Sequence, residues 1–152
     1  MSIPRAGRFL SLIVPALFAL EACRSDINTP QGIAFGTYQL RLVNGDTLPV
    51  RTGEVDGIMY AVLAGTIIAN MDQTCEFRHT FRLTSLADES ERVESESEPC
   101  TWQLVDRGFH ARFGNGSLLS GVLALNALWF DFPSTDGSAF LFMYERTADP
   151  PN

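Results

Sequence analysis

Apolar and polar positions alternate along this chain in short runs, and the first clear run is Phe35 to Val50, FGTYQLRLVNGDTLPV. Tyr38, Leu40 and Leu42 alternate with Thr37, Gln39 and Arg41, the period-2 pattern of a strand with one buried face. Asn44-Gly45 follows, a dipeptide that readily takes the positive φ angles of a tight turn. The cleanest alternation is Cys75 to Ser85. It puts Cys75, Phe77, His79, Phe81 and Leu83 on one face and Glu76, Arg78, Thr80, Arg82 and Thr84 on the other. Ile58 to Asn70 does not alternate, and a buried helix could have a similar composition, but its Val, Ile, Tyr and Thr content around Gly65 favours a strand kinked at the glycine. Thr47 to Gly57, with Pro49, Gly53 and Gly57, reads as a loop or an irregular edge.

Five further strand-like segments follow in quick succession: Cys100–Asp106, Phe109–Phe113, Leu118–Ala124, Leu128–Phe132 and Phe140–Arg146. The turns between them are too short for parallel crossovers, so neighbouring strands run antiparallel. The pattern predicts an all-β fold, a single up-and-down barrel of about eight or nine strands spanning residues 35–146. Thr147 to Asn152, with two prolines, reads as a flexible tail.

Ser90 to Glu98, SERVESESE, is acidic and almost free of apolar residues. It reads either as a solvated loop or as an edge strand whose Glu residues face Arg78 and Arg82 across a hairpin. The two cysteines around it choose between these. If the hairpin turns at Ala87-Asp88, Cys75 and Cys100 are equidistant from the turn and lie opposite each other. We expect that arrangement and a Cys75–Cys100 disulfide, worth about 3 kcal/mol for a loop of this size. Two buried free thiols are the alternative.

Composition narrows the class. At 152 residues, with 45% hydrophobic and 19% charged residues, the chain has material for one well-filled core. Every basic residue is Arg, and the net charge is −7, which argues against nucleic acid as a partner. No nucleophile elbow, zinc-protease helix, phosphate-cradling glycine loop or zinc-spaced cysteine pair occurs. We therefore expect no catalytic residues, no metal and no cofactor. Asp46, Glu54 and Asp56 gather near one loop, but scattered acids in a chain this acidic need no cation to explain them. His79, between Phe77 and Phe81 on the inward face, reads as a core histidine; His110 falls on the outward face of its strand.

The first 22 residues read as an export signal: MSIPRAGR is basic, and Phe9 to Leu20 is an apolar run too short for a comfortable membrane span. Leu20-Glu21-Ala22-Cys23 resembles the lipobox of bacterial lipoproteins, matching at Leu20, Ala22 and Cys23 and departing at Glu21. The resemblance implies that Cys23 is lipidated, becomes the mature N-terminus and anchors the protein to a membrane. With Arg24 rather than Asp after it, the implied location is the outer membrane, facing the periplasm. Residues 23–34 then serve as lipidated cysteine and tether.

The barrel segment resembles a lipocalin-like group of small bacterial β-barrel proteins. Gly36-Thr37-Tyr38, Asn44-Gly45, Leu48-Pro49 and a closing Tyr144-x-Arg146 carry the likeness. It implies an envelope protein with a barrel cup for one small apolar ligand, lined by Tyr38, Phe77, His79, Phe81, Trp102, Phe113, Phe140 and Tyr144. Against this stands a solid barrel, because at about eight strands side chains can fill the lumen outright. We expect a packed core more than an open cup. The protein would then be a structural or interaction lipoprotein whose acidic hairpin contacts an envelope partner. Phe140 to Tyr144 is apolar on both faces, so its outer face is expected to be covered as well.

Overall fold

A computed structural model describes residues 34–133 and 138–148 of the chain. The expected signal, Cys23, the tether up to residue 33 and the last four residues lie outside that range. From Gly36 onward the described residues form only strands and turns. The strands are β1 (Gly36–Val43), β2 (Asp46–Thr47), β3 (Val50–Val55), β4 (Ile58–Ala69), β5 (Thr74–Ser85), β6 (Glu91–Val105), β7 (Gly108–Phe113), β8 (Leu118–Ala124), β9 (Ala127–Pro133) and β10 (Ala139–Ala148). Thr147 and Ala148 are thus part of the last strand rather than of a tail.

The strands form a closed antiparallel barrel. Its order is β1-β10-β9-β8-β7-β6-β5-β4, and β1 returns to β4 through the pairs Gly36↔Ala69 to Gln39↔Thr66. Eight strands therefore go round. Further along, β1 and β4 separate, and the short β2 and β3 fill the gap by pairing with β1 and β4 respectively. Two dipeptides make this detour possible: Asn44-Gly45 at φ 54° and 87°, and Asp56-Gly57 at φ 52° and 75°. Paired positive φ values are what a two-residue hairpin turn demands. The segment Thr47 to Gly57, expected as a loop or an irregular edge, is the irregular edge: β3 ends the strand order, pairs with β4, and bulges at Gly53 instead of stopping there.

Two more bulges explain where the alternation fails. Between Val62 and Ala64 the pairing of β4 with β5 slips by one residue, so the inward face runs Tyr60, Val62 and then Gly65, Ile67, Ala69. A similar slip between Leu40 and Leu42 makes Val43 fully buried and leaves Leu42 half-buried, against the simple alternation expected of β1.

The β5–β6 hairpin has the register Cys75↔Cys100 through Thr84↔Glu91, and the two sulfurs are bonded, with the Cα atoms 4.8 Å apart. That register sets Glu94, Glu96 and Glu98 opposite Phe81, His79 and Phe77, on the inward face. Arg78 and Arg82 face Ser97 and Val93 instead. The expected Glu–Arg ladder is therefore not formed, because one register cannot pair Cys75 with Cys100 and also bring those Glu residues to the Arg face. Arg78 bonds Glu76 of its own strand at 2.6 Å, and Arg82 reaches only Glu91, at 3.8 Å. Exposed pairs like these contribute about 0–1 kcal/mol each.

One half of the lumen is packed solid. Tyr38, Ile67, Phe109, Leu128, Phe130 and Tyr144 are fully buried there. Trp102 stacks on Phe109 at 5.2 Å, and Phe130 meets Phe77, Phe109 and Tyr144 edge-on. The polar tips find partners: Trp102 Nε1 donates to the Asn70 carbonyl at 3.0 Å, and the Tyr38 hydroxyl to that of Ala34 at 2.9 Å. Burial pushes the Tyr38 phenol up to about 12, against the opposing pull of the Arg146 charge.

Gly121 lies opposite Phe130, and a Cβ there would sit 2.5 Å from the Phe130 ring and from the Trp129 carbonyl oxygen. We expect Gly121→Ala to displace the ring and destabilise the barrel by about 1–3 kcal/mol, as overpacking does. Urea unfolding followed by tryptophan fluorescence checks this; an unchanged midpoint would contradict the packing described.

Candidate functional site

The other half of the lumen is open. β6 pairs with β7 only from Cys100↔Phe113 to Val105↔Gly108, so its stretch from Glu91 to Pro99 has β5 on one side and none of the described strands on the other. β9 likewise pairs with β8 only as far as Phe130↔Gly121, leaving Asp131 to Pro133 on β10 alone. The β7–β8 hairpin is thus a low section of wall, and a notch opens above it between β6 and β9. The backbone on the β6 side of the notch pairs with none of the described strands. Trp102 donates its N–H toward β5, to the Gln73 carbonyl. By strand alternation Val93, Ser95 and Ser97 turn their N–H and C=O groups into the notch. Pro99, which has no N–H, takes the junction position on that same edge.

Behind the notch lies a cup of about 360 Å³, walled chiefly by aromatic rings. That volume lies within the range usual for small-molecule pockets, near its lower end. Phe77, His79 and Phe81 of β5 form one wall, with Phe113 at the foot of the notch. Phe132, Phe140 and Phe142 of β9 and β10 form the wall opposite, and β3 and β4 add Thr52, Tyr60 and Val62. Glu96 and Glu98 are the acidic residues on the lining, at its mouth.

His79 stands near the bottom of the cup. Gly65 faces it across the β4–β5 pair, where a Cβ would lie 3.0 Å from His79 Cδ2 and 3.0 Å from Leu40 Cβ, so the glycine makes room for the imidazole. Rings of Phe81, Phe132, Phe142 and Tyr144 surround it at 5.8–6.2 Å. Its Nε2 and the Tyr144 hydroxyl share a hydrogen bond of 2.5 Å. Burial drives the His79 pKa down to about 4 and raises that of Tyr144, so both are neutral near pH 7. The pair gives the cup one polar point without giving it a charge.

Of the eight residues expected to line a cup, Phe77, His79, Phe81, Phe113 and Phe140 do so. Tyr38, Trp102 and Tyr144 belong to the packed floor instead, because they sit where the barrel is closed by all eight strands. The two carboxylates, Phe132, Phe142 and the β3–β4 contribution are additions. Among the described residues no group of three or more metal-ligating side chains forms. His110 points outward and bonds Ser120 Oγ at 2.9 Å. Outside β10, Met143 and Trp129 are adjacent and half-buried, and Leu141 is 39% exposed. No protein-family model matches this chain, and neither does any curated protein or solved structure.

Proposed function

We propose that this protein is a cell-envelope lipoprotein, anchored through Cys23, whose barrel binds a small hydrophobic molecule in the open cup. The observation that carries the binding reading is the aromatic cup of about 360 Å³ above a floor already filled by other side chains. A barrel evolved only to be solid has no reason to leave seven aromatic side chains facing open space, since unfilled apolar volume costs stability. The anchoring reading draws on the export-signal pattern of residues 1–22 and the lipobox-like Leu20 to Cys23. We assign no catalytic step to this function: on the described lining His79 is hydrogen-bonded to Tyr144, and Glu96 and Glu98 stand at the mouth. The rival reading, an interaction lipoprotein without a ligand, draws on the unpaired edge of β6. Inward charges such as Glu94, Glu96 and Glu98, however, are a usual device against pairing at such an edge.

Titration with N-phenyl-1-naphthylamine, an apolar fluorophore uncharged at neutral pH, tests the binding reading. We expect saturable blue-shifted emission with a Kd on the order of 10 μM. Phe81→Glu places a carboxylate on the half-exposed wall and should weaken it about tenfold or more. Emission that does not saturate, or that Phe81→Glu leaves unchanged, would place the probe elsewhere.

A further inference from the structure

We propose that the ligand is an amphipathic cation, an amine or quaternary ammonium on a compact apolar body, with its charged head held by Glu96 and Glu98 at the notch. This rests on the reading that the cup binds a ligand, and adds the sign of the ligand's charge. The register of β5 with β6 fixes the geometry: Glu96 lies opposite His79 and Glu98 opposite Phe77, so both carboxylates share the face of the aromatic wall. Both are on the lining of the cup.

Their lack of partners sets them apart from the neighbouring acids. Glu76 is held by Arg78 and Ser97, Glu91 lies near Arg82, and Glu94 takes Arg92 at 2.7 Å. Glu96 and Glu98 accept no side-chain hydrogen bond or ion pair from the described residues. Among the described residues no Arg lines the cup to offset them. Arg78 and Arg82 are on the other face of β5, Arg41 is tied to Glu145 outside, and Arg146 lies over Phe35 near the packed end. His79, neutral near pH 7, supplies no positive charge either. An anionic amphiphile would therefore enter against two uncompensated carboxylates. A cation would meet both, and the faces of Phe77, Phe81 and Phe113 are within the same cup to receive it. Burying the apolar body favours any hydrophobic ligand, whereas the carboxylates discriminate by head group.

Three compounds with one ten-carbon chain separate the possibilities: decyltrimethylammonium, decanol and decanoate, each titrated calorimetrically below its micelle concentration. Residues 24–152 are sufficient material, because every pairing that closes the barrel lies within residues 36–148. We expect the ammonium to bind about tenfold more tightly than the alcohol, the scale of two exposed charge pairs, and decanoate to bind most weakly. Glu96→Gln with Glu98→Gln should erase the ammonium's advantage and leave decanol within about twofold, since both positions are exposed and neither supports the core. Added salt should weaken the ammonium alone. Equal binding of ammonium and alcohol, unmoved by the double variant, would overturn the charge assignment and leave the hydrophobic cup standing. Failure of all three to bind would overturn the cup reading, and this inference with it.

Discussion

Replacing Cys75 and Cys100 together by Ala is expected to lower the melting temperature by roughly 10–15 °C. The bond joins β5 to β6 at the level where β7 ends, so it clamps the last fully closed layer of the barrel. Above it, β5 is the one described strand that holds β6 from Glu91 to Pro99. The sequence separation is 25 residues. A loop of that length restricts the unfolded chain by about 3 kcal/mol. At an unfolding entropy of about 2.1 cal/mol/K per residue, that free energy converts to the stated shift for a domain of this size. Both cysteines are buried, and Ala introduces no unsatisfied polar atom, so the change reports mainly on the cross-link. Thermal unfolding followed by circular dichroism gives the answer, and a fall of less than about 3 °C would mean that the strand pairing holds this layer without the bond.

The second large effect is an acid limb of stability that belongs to His79. Its folded pKa lies near 4, below the ordinary 6.5, because burial strips water from the imidazole and penalises its charged form. The unfolded chain therefore takes up this proton first as the pH falls. The contribution is complete above about pH 6.5 and is lost progressively down to about pH 4, amounting to roughly 3 kcal/mol. His79→Gln keeps a hydrogen-bonding partner for Tyr144 and cannot protonate, so it should lose correspondingly less stability over that window. Asp72, Glu76 and Asp88 also have pKa values held low by hydrogen bonds, but those bonds are made to Thr74, to Arg78 and Ser97, and to Ser85 and Ser90, not to His79, and they are common to both proteins. Glu96, opposite His79 in the register, is likewise present in both. Urea unfolding at pH 7 and pH 4 gives the comparison. Equal losses in the two proteins would mean that His79 titrates as an open, hydrated group.

The barrel was legible in the sequence because its strands announce themselves locally. Phe77, His79 and Phe81 alternate with Arg78, Thr80 and Arg82, and the turns between the later strands are too short for anything but antiparallel neighbours. The bulges were not legible. A one-residue slip at Leu63 or Arg41 changes which face is buried without leaving a residue type that marks it. Gly53 and Gly57 looked alike in composition, yet one is a bulge within β3 and the other closes its turn.

The site was half legible for a related reason. Alternation finds the aromatic positions that face inward but not how high each sits in the barrel, so Tyr38, Trp102 and Tyr144 could not be separated from Phe113 and Phe140. Glu96 and Glu98 carried a usable signal. Setting Cys75 against Cys100 already fixes the parity of the hairpin, and that parity sends the even-numbered Glu residues inward. Charge suggested the opposite face, and covalent register overrode it.

Native mass spectrometry of residues 24–152, exported by and purified from the protein's own host without detergent, tests the central claim most directly. We expect a defined extra mass of a few hundred daltons, the size of molecule that a cup of about 360 Å³ admits. It should be absent from Phe81→Glu purified in the same way. A bare mass in both proteins, short only by the two hydrogens of the Cys75–Cys100 bond, would contradict a ligand carrier and favour a barrel whose role lies in contacts made from outside.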